Sequence, residues 1–253
     1  MAGRSEREKE AYDHGDILDV SDAYHKRSMV LRYPNTLFHE SLYKKVLCVK
    51  ACGGRVLDVG CANGGFTKQI YQMGPSYVLG VDISEKFVQE ARTLEVPGRL
   101  EFQRMDVMAP MPGEFDLITG RAILHHVDFR KAMMNLYDNN LARGGRMVFM
   151  EPLADNLLMA MFYQVVRSAH TPDERPFSAE DLAWMRRHFD NIRFVPFNFF
   201  SLFFGIPLAL MSNDVTTNPI MCAADELDRW IARRVPLAMS HFRQIIIIVD
   251  KPA

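Results

Sequence analysis

Two textures of apolar residues divide this chain. From about Asp16 to Lys50 they recur at helical spacing, with Tyr24, Met29, Tyr33, Leu37, Phe38, Leu42 and Leu47 on the pattern. The polar stretch before it predicts a frayed end. After Gly53-Gly54 short apolar runs take over, predicting strands at Arg55 to Val59, Tyr77 to Val81, Arg99 to Gln103, Phe115 to Thr119 and Arg146 to Glu151. Helices are predicted between them: near Phe66 to Met73, from Glu85 with Ser84 as cap, and from Asp128 to Leu141 with Gly144-Gly145 as stop. Such alternation implies parallel pairing through crossovers, hence a three-layer α/β sandwich. Near the end, Ile192 to Phe197 and the very apolar Phe242 to Asp250 read as two more strands. The Phe-, Leu-, Met- and Pro-rich residues 198–240 between them are too many for a loop and predict a helical insertion or lid.

Composition narrows the class. The chain has 253 residues, 48% hydrophobic and 24% charged, with a formal net charge of −1, which fits one globular domain. No long basic run advertises a nucleic-acid partner. The four cysteines are Cys48, Cys52, Cys61 and Cys222. None stands in a zinc-ligand pattern, so no metal is expected; Cys48 and Cys52 are expected as buried thiols on one helix face. The charged start MAGRSEREKE has no apolar leader, and the apolar run Phe199 to Met211 is broken by Gly205 and Pro207 and too short to span a bilayer. A cytoplasmic protein with no membrane span is the expectation.

The chemistry concentrates after the first strand, in Asp58-Val59-Gly60-Cys61-Ala62-Asn63-Gly64. A glycine-rich turn from strand to helix lets backbone approach a ligand. Asp58 sharpens this, because a fixed carboxylate there repels a pyrophosphate and attracts an ammonium. The charge favours S-adenosylmethionine (SAM) over a nicotinamide dinucleotide; the competing reading makes Asp58 a turn or cap residue. Asp82 ends the second strand roughly twenty residues on, where an acid commonly meets ribose hydroxyls. Asp106 follows the third strand, where a carboxylate can accept from an adenine amino group. Three acids on one sheet rim make a ligand-shaped set.

These segments, with Val81-Asp82, Met105-Asp106-Val107 and Phe115-Asp116-Leu117-Ile118, resemble the ordered motifs of class I SAM-dependent methyltransferases of the small-molecule type. The resemblance implies a Rossmann-like, seven-stranded, mostly parallel sheet with an antiparallel last strand, N-terminal helices and the insertion near the C-terminus. It implies one methyltransferase domain over 1–253: a helical cap (1–50), a SAM-binding core (51–151) and a substrate-side half (152–253). Cofactor contacts are then expected from Asp58, Gly60, Cys61, Ala62, Asn63, Gly64, Asp82, Ile83, Asp106, Val107 and Arg121, with Tyr24 folding over. Ala62 departs from the usual G-x-G-x-G and tolerates a positive φ less well than glycine.

After the fourth strand, Gly120-Arg121-Ala122-Ile123-Leu124-His125-His126 faces the cofactor in that family. His125 and His126 offer a base titrating near neutrality; the competing reading is structural. Glu151 at the fifth strand's end is expected to orient substrate or cap the next segment. His170, Phe199 and Phe203 are further substrate-side candidates, although the phenylalanine stretch fits core, a dimer surface or a membrane-touching patch equally well. Ser178 and Asp181 form a capping pattern. The expected activity is methylation of an O, N or C atom of a small, fairly apolar metabolite, aromatic or heterocyclic, as in natural-product or quinone-type biosynthesis, by a monomer or homodimer, yielding S-adenosylhomocysteine (SAH). RNA or protein methylation, a non-catalytic SAM-binding protein and a nicotinamide-dependent oxidoreductase are the alternatives. No Asn/Asp-Pro-Pro-aromatic motif follows the fourth strand, which weighs against base methylation.

Overall fold

The computed structural model of the chain describes residues 6–7, 9–10, 34–156, 175–204 and 218–253. Its strands are β1 (Arg55–Val59), β2 (Tyr77–Asp82), β3 (Leu100–Arg104), β4 (Phe115–Arg121), β5 (Leu141–Pro152), β6 (Ile192–Phe197) and β7 (Gln244–Asp250). They form one seven-stranded sheet in the order β3-β2-β1-β4-β5-β7-β6. β7 runs antiparallel to both neighbours, while β1 to β5 pair in parallel. This is the Rossmann-like α/β fold, with the helices α1 (Pro34–Ala51), α2 (Gly65–Tyr71), α3 (Glu85–Arg92), α4 (Phe129–Asn135), α5 (Ala179–His188) and α6 (Pro219–Arg234).

Alternate strand residues feed two cores, because side chains alternate across a sheet. Leu57, Val59, Ile118, Met147, Phe149, Ile245 and Ile247 face one layer, with Phe129, Met133, Leu182 and Met185 from α4 and α5. Val56, Val78, Leu117, Val148, Ile246 and Ile248 face the other, with Tyr43, Leu47, Ile70, Val88 and Ala91 from α1, α2 and α3. The isoleucine run of β7 is continuous because both of its faces are covered.

α1 begins at Pro34, where a proline has no lost hydrogen bond to answer for. Its buried stripe, Asn35, His39, Tyr43, Leu47 and Ala51, has a period of four and lies on the sheet. The Tyr43 hydroxyl is 2.6 Å from Thr119 Oγ1 and reaches the Gly120 carbonyl. Burial against Phe197, whose ring stacks on it at 4.6 Å, lowers the His39 imidazole to about 4, so it stays neutral. Cys48, one position past Leu47, falls off this stripe, and Cys52 follows the helix end. Both are exposed, as is Cys222, and only Cys61 is buried; the expected buried pair is corrected.

The predicted helix over Asp128 to Leu141 is shorter. After α4 the chain makes a π-turn over Leu136–Asn140, and β5 already starts at Leu141. Asn140 fixes this switch by donating to the Met111 and Gly113 carbonyls at 2.9 Å each. Gly144-Gly145 thus lie inside β5, where the pairing with β4 shifts register, and not at a helix stop.

The C-terminal insertion contains α6 and a 3₁₀ turn, Pro236–His241. The buried Asp228 of α6 accepts from the backbone N–H of Phe199, Phe200 and Ser201, from Ser201 Oγ and from Asn35 Nδ2. One carboxylate therefore fastens α6 to the end of β6 and to α1. Among the described residues no helix is long and apolar enough to cross a membrane.

Candidate functional site

At the carboxyl ends of β1, β2 and β4 the sheet opens into a cleft of about 800 Å³, counting its mouth. Its lining brings together Gly60, Ala62, Asp82, Ile83, Asp106, Val107, Arg121 and His126, which the sequence had singled out. Parallel strands end on one rim, so residues far apart in sequence meet there.

Asp82 is held by two backbone N–H groups. Its Oδ2 accepts from the Ala62 N–H at 2.9 Å and its Oδ1 from the Ser84 N–H at 2.9 Å. These two contacts fix the orientation of the carboxylate on the rim. Ala62 presents that N–H at φ 45°, a left-handed conformation that costs a residue with a Cβ about 1–2 kcal/mol. Alanine therefore does not straighten the turn; the contact to Asp82 holds it. Gly60 is required beside it: at φ 70°, a Cβ there would lie 2.8 Å from Ile123 Cγ1.

Asp106 turns one oxygen to the Met108 N–H at 2.9 Å. Asp58 lies deeper, 3% exposed at the end of β1, and does not line the cleft itself. Its Oδ2 accepts from Thr67 Oγ1 at 2.6 Å, tying β1 to α2, so a structural share of its role is real. Burial pushes its carboxyl up to about 7, against the pull of the Thr67 hydroxyl and the Arg121 cation, with Asp82 adding to the rise. Arg121 pairs with Glu40 of α1 at 2.5 Å and lies 4.7 Å from the centre of the Phe66 ring. Cys61, Asn63 and Gly64 stand beside the cleft but outside its lining.

Glu151 is fully buried and its oxygens are engaged. Oε1 accepts from the Ile123 and Leu124 N–H groups at 3.0 Å each, and Oε2 is 2.7 Å from His125 Nδ1. It lies under the turn after β4 and caps Ile123 and Leu124, where the sequence had it orienting substrate or capping the segment that follows it. His125 is buried with it, outside the cleft lining; the His126 ring, 4.1 Å away, lines the cleft.

Phe199 packs against Phe242 and Phe200, and Phe203 is exposed; neither is in the lining of this cleft. Tyr24 and His170 lie outside the described residues. The cleft also takes in Val81, Met105, Ala122 and Ile123 from the motifs quoted above, together with Val127 and Phe87, which sequence reasoning did not assign to the site. Met105 and Val127 adjoin residues that were identified. Phe87 had a readable signal: Ser84 accepts from its N–H as helix cap, which sets the first turn of α3 at the rim. Ala122, in the segment after β4, stands at a left-handed φ of 52°.

The residues present fit an adenosyl amino acid. Met105, Val107, Ile83 and Phe87 offer apolar walls, Asp82 an oriented pair of acceptors, and Asp58 a buried carboxylate behind the loop. A sequence profile described as a methyltransferase domain matches residues 30–190. The ubiquinone biosynthesis O-methyltransferase of Dechloromonas aromatica (strain RCB) is 32% identical over 113 residues, 43% of this chain and 48% of that protein. The Bordetella parapertussis protein of the same name is 33% identical over 109 residues, 41% of this chain and 44% of that one. The matched segments span less than half the length of these relatives. A solved Haemonchus contortus phosphoethanolamine N-methyltransferase 2, complexed with phosphomonomethylethanolamine and SAH, shares the fold at TM-score 0.63 and 17% identity, covering 100% of this chain and 61% of that one. So does the SAM-bound magnesium protoporphyrin IX methyltransferase of Synechocystis PCC 6803, at TM-score 0.56 and 13% identity, covering 99% and 98%. On the family match, the sheet order and the acid-rimmed cleft, the chain belongs to the class I SAM-dependent methyltransferases.

Proposed function

We propose that this chain transfers a methyl group from SAM to an O, N or C atom of a small, fairly apolar metabolite, aromatic or heterocyclic. The reading is carried by Asp82, whose two oxygens are held by backbone N–H groups on the rim of the cleft. The partial likeness to ubiquinone O-methyltransferases favours a quinone-type ring as acceptor. When bound, SAM supplies a methyl group made electrophilic by its sulfonium. Asp82 would hold the ribose hydroxyls, Met105, Val107 and Asp106 would receive the adenine, and Asp58, behind the loop, would set its charge against the ammonium. His126, in the cleft lining, is the base that takes a proton from the acceptor, and His125, held by Glu151, positions it.

Calorimetry with SAM and SAH, followed by a radiolabelled methyl-transfer screen over catechols, quinols and amines, tests the proposal. A native chain giving no heat with either nucleoside sinks it. His126→Ala is expected to lower turnover by about 100-fold with SAM affinity unchanged, a general-base effect. Equal turnover in the two proteins removes His126 from the mechanism.

Asp58 adds a pH signature. With its carboxyl raised to about 7, the ligand-free protein carries a half-protonated acid at neutrality. A cation binds the ionised form, so SAM affinity should fall about tenfold per unit on the acid side of pH 7, and fall again above about pH 8, where the α-amino group of SAM itself loses its proton. One proton leaves per SAM bound on the acid side, readable from calorimetry in buffers of different ionisation heat. Asp58→Asn should abolish the acid-side slope. By the same linkage the empty fold binds the proton more tightly than the unfolded chain, so Asp58 disfavours folding increasingly as pH rises from about 4 to 7.

A further inference from the structure

We infer that the outer face of α6 and the turn after it form a docking surface for an anionic lipid bilayer. The methyl-transfer reading does not require this face, and the inference stands on separate observations. Met221, Ala224, Asp225 and Asp228 turn the inner side of α6 to the protein. Ile220, Leu227 and Trp230 occupy the opposite side and are exposed, Trp230 at 56%. Val235 and Leu237 continue the apolar surface past the helix end, with Leu237 at 91% the most exposed of the large hydrophobic residues among those described. Single exposed apolar residues are ordinary, but a tryptophan-centred row on one helix face is not.

The charge beside this row selects its occupant. Three exposed arginines surround the turn: Arg233 and Arg234 close α6, and Arg186 of α5 reaches Met239 within the turn at 3.6 Å. None of the three makes an ion pair among the described residues. The acids of α6 do not cancel them outward. Asp228 is buried under backbone donors, and Asp225, nearly buried, is paired with Arg229 at 2.6 Å. Glu226 alone remains exposed among the α6 acids. An apolar row with a tryptophan, edged by the exposed guanidinium groups of Arg233 and Arg234, with Arg186 held nearby on Met239 and the Phe194 ring, matches the boundary between acyl chains and anionic headgroups. The neighbouring sequence agrees: residues 194–213 carry no charged side chain, and Phe203 and Phe204 within them are exposed.

Sedimentation of the full chain with sucrose-loaded vesicles tests this. The protein should pellet with phosphatidylcholine vesicles containing phosphatidylglycerol, pellet far less with phosphatidylcholine alone, and be released by high salt. Each headgroup-facing arginine contributes about fivefold to partitioning, so Arg233→Gln with Arg234→Gln should lower it about 25-fold. Trp230→Ser with Leu237→Gln should abolish it while circular dichroism stays unchanged, since neither side chain is in the core. Two results overturn the inference. One is a wild-type chain that stays in the supernatant with anionic vesicles, or pellets equally after these substitutions. The other is a dimer by analytical ultracentrifugation that the Trp230→Ser/Leu237→Gln chain cannot form, which assigns the face to a second copy.

Discussion

Replacing Asp82 by alanine is expected to weaken SAM and SAH binding by about 100-fold or more while the chain stays folded. The magnitude follows from two charge-assisted hydrogen bonds to ribose hydroxyls, each worth about 1.5–3 kcal/mol. The substitution also frees the Ala62 and Ser84 N–H groups, which now anchor the carboxylate at 2.9 Å. Losing the first releases the strained Ala62 turn, so the ligand also has to reorder the loop. The fold survives because Asp82 sits on the rim, half-buried, and its strand is held by pairing to β1 and β3. Calorimetry gives the affinity and thermal denaturation the stability. A dissociation constant within threefold of the wild type removes Asp82 from the ribose.

The second large effect is on stability. Glu151→Ala should destabilise the protein by about 3–5 kcal/mol, because it strands buried donors that the carboxylate now satisfies. The Ile123 and Leu124 N–H groups and the His125 ring all converge on it. For a chain of this size the loss corresponds to a drop in Tm of roughly 10 °C or more. Glu151→Gln is the informative partner, since its oxygen still accepts from both backbone groups. Its amide then donates to His125 Nδ1, where the carboxylate accepted, and forces the other ring tautomer. Nitrogen-15 spectra of the His125 ring should show that exchange, with most of the stability retained. An alanine variant as stable as the parent would falsify the assignment of Glu151 as the keystone of this turn.

The SAM-side half of the cleft was legible because its signals are local. Asp58, Gly60, Asp82 and Asp106 sit where a short strand meets a turn, and a parallel sheet obliges every such end to share one rim. The substrate-side expectations fared differently. Phe199 and Phe203 are as apolar as any pocket residue, yet one packs, half-buried, against Phe242 and the other is exposed. Glu151 looked like a rim acid by the same rule that found Asp82. Its longer side chain instead folds beneath a turn whose direction depends on the left-handed Ala122.

Order of strands and helices, the α/β class, the parallel core and the acid positions were all fixed by the chain's own pattern, since alternation and turn chemistry act between near neighbours. Three dimensions were needed to decide which thiols are buried, where α4 yields to β5, that Glu40 meets Arg121, and which flank of α6 is left uncovered. Each of those depends on what a distant segment brings to the residue, and periodicity carries no record of that.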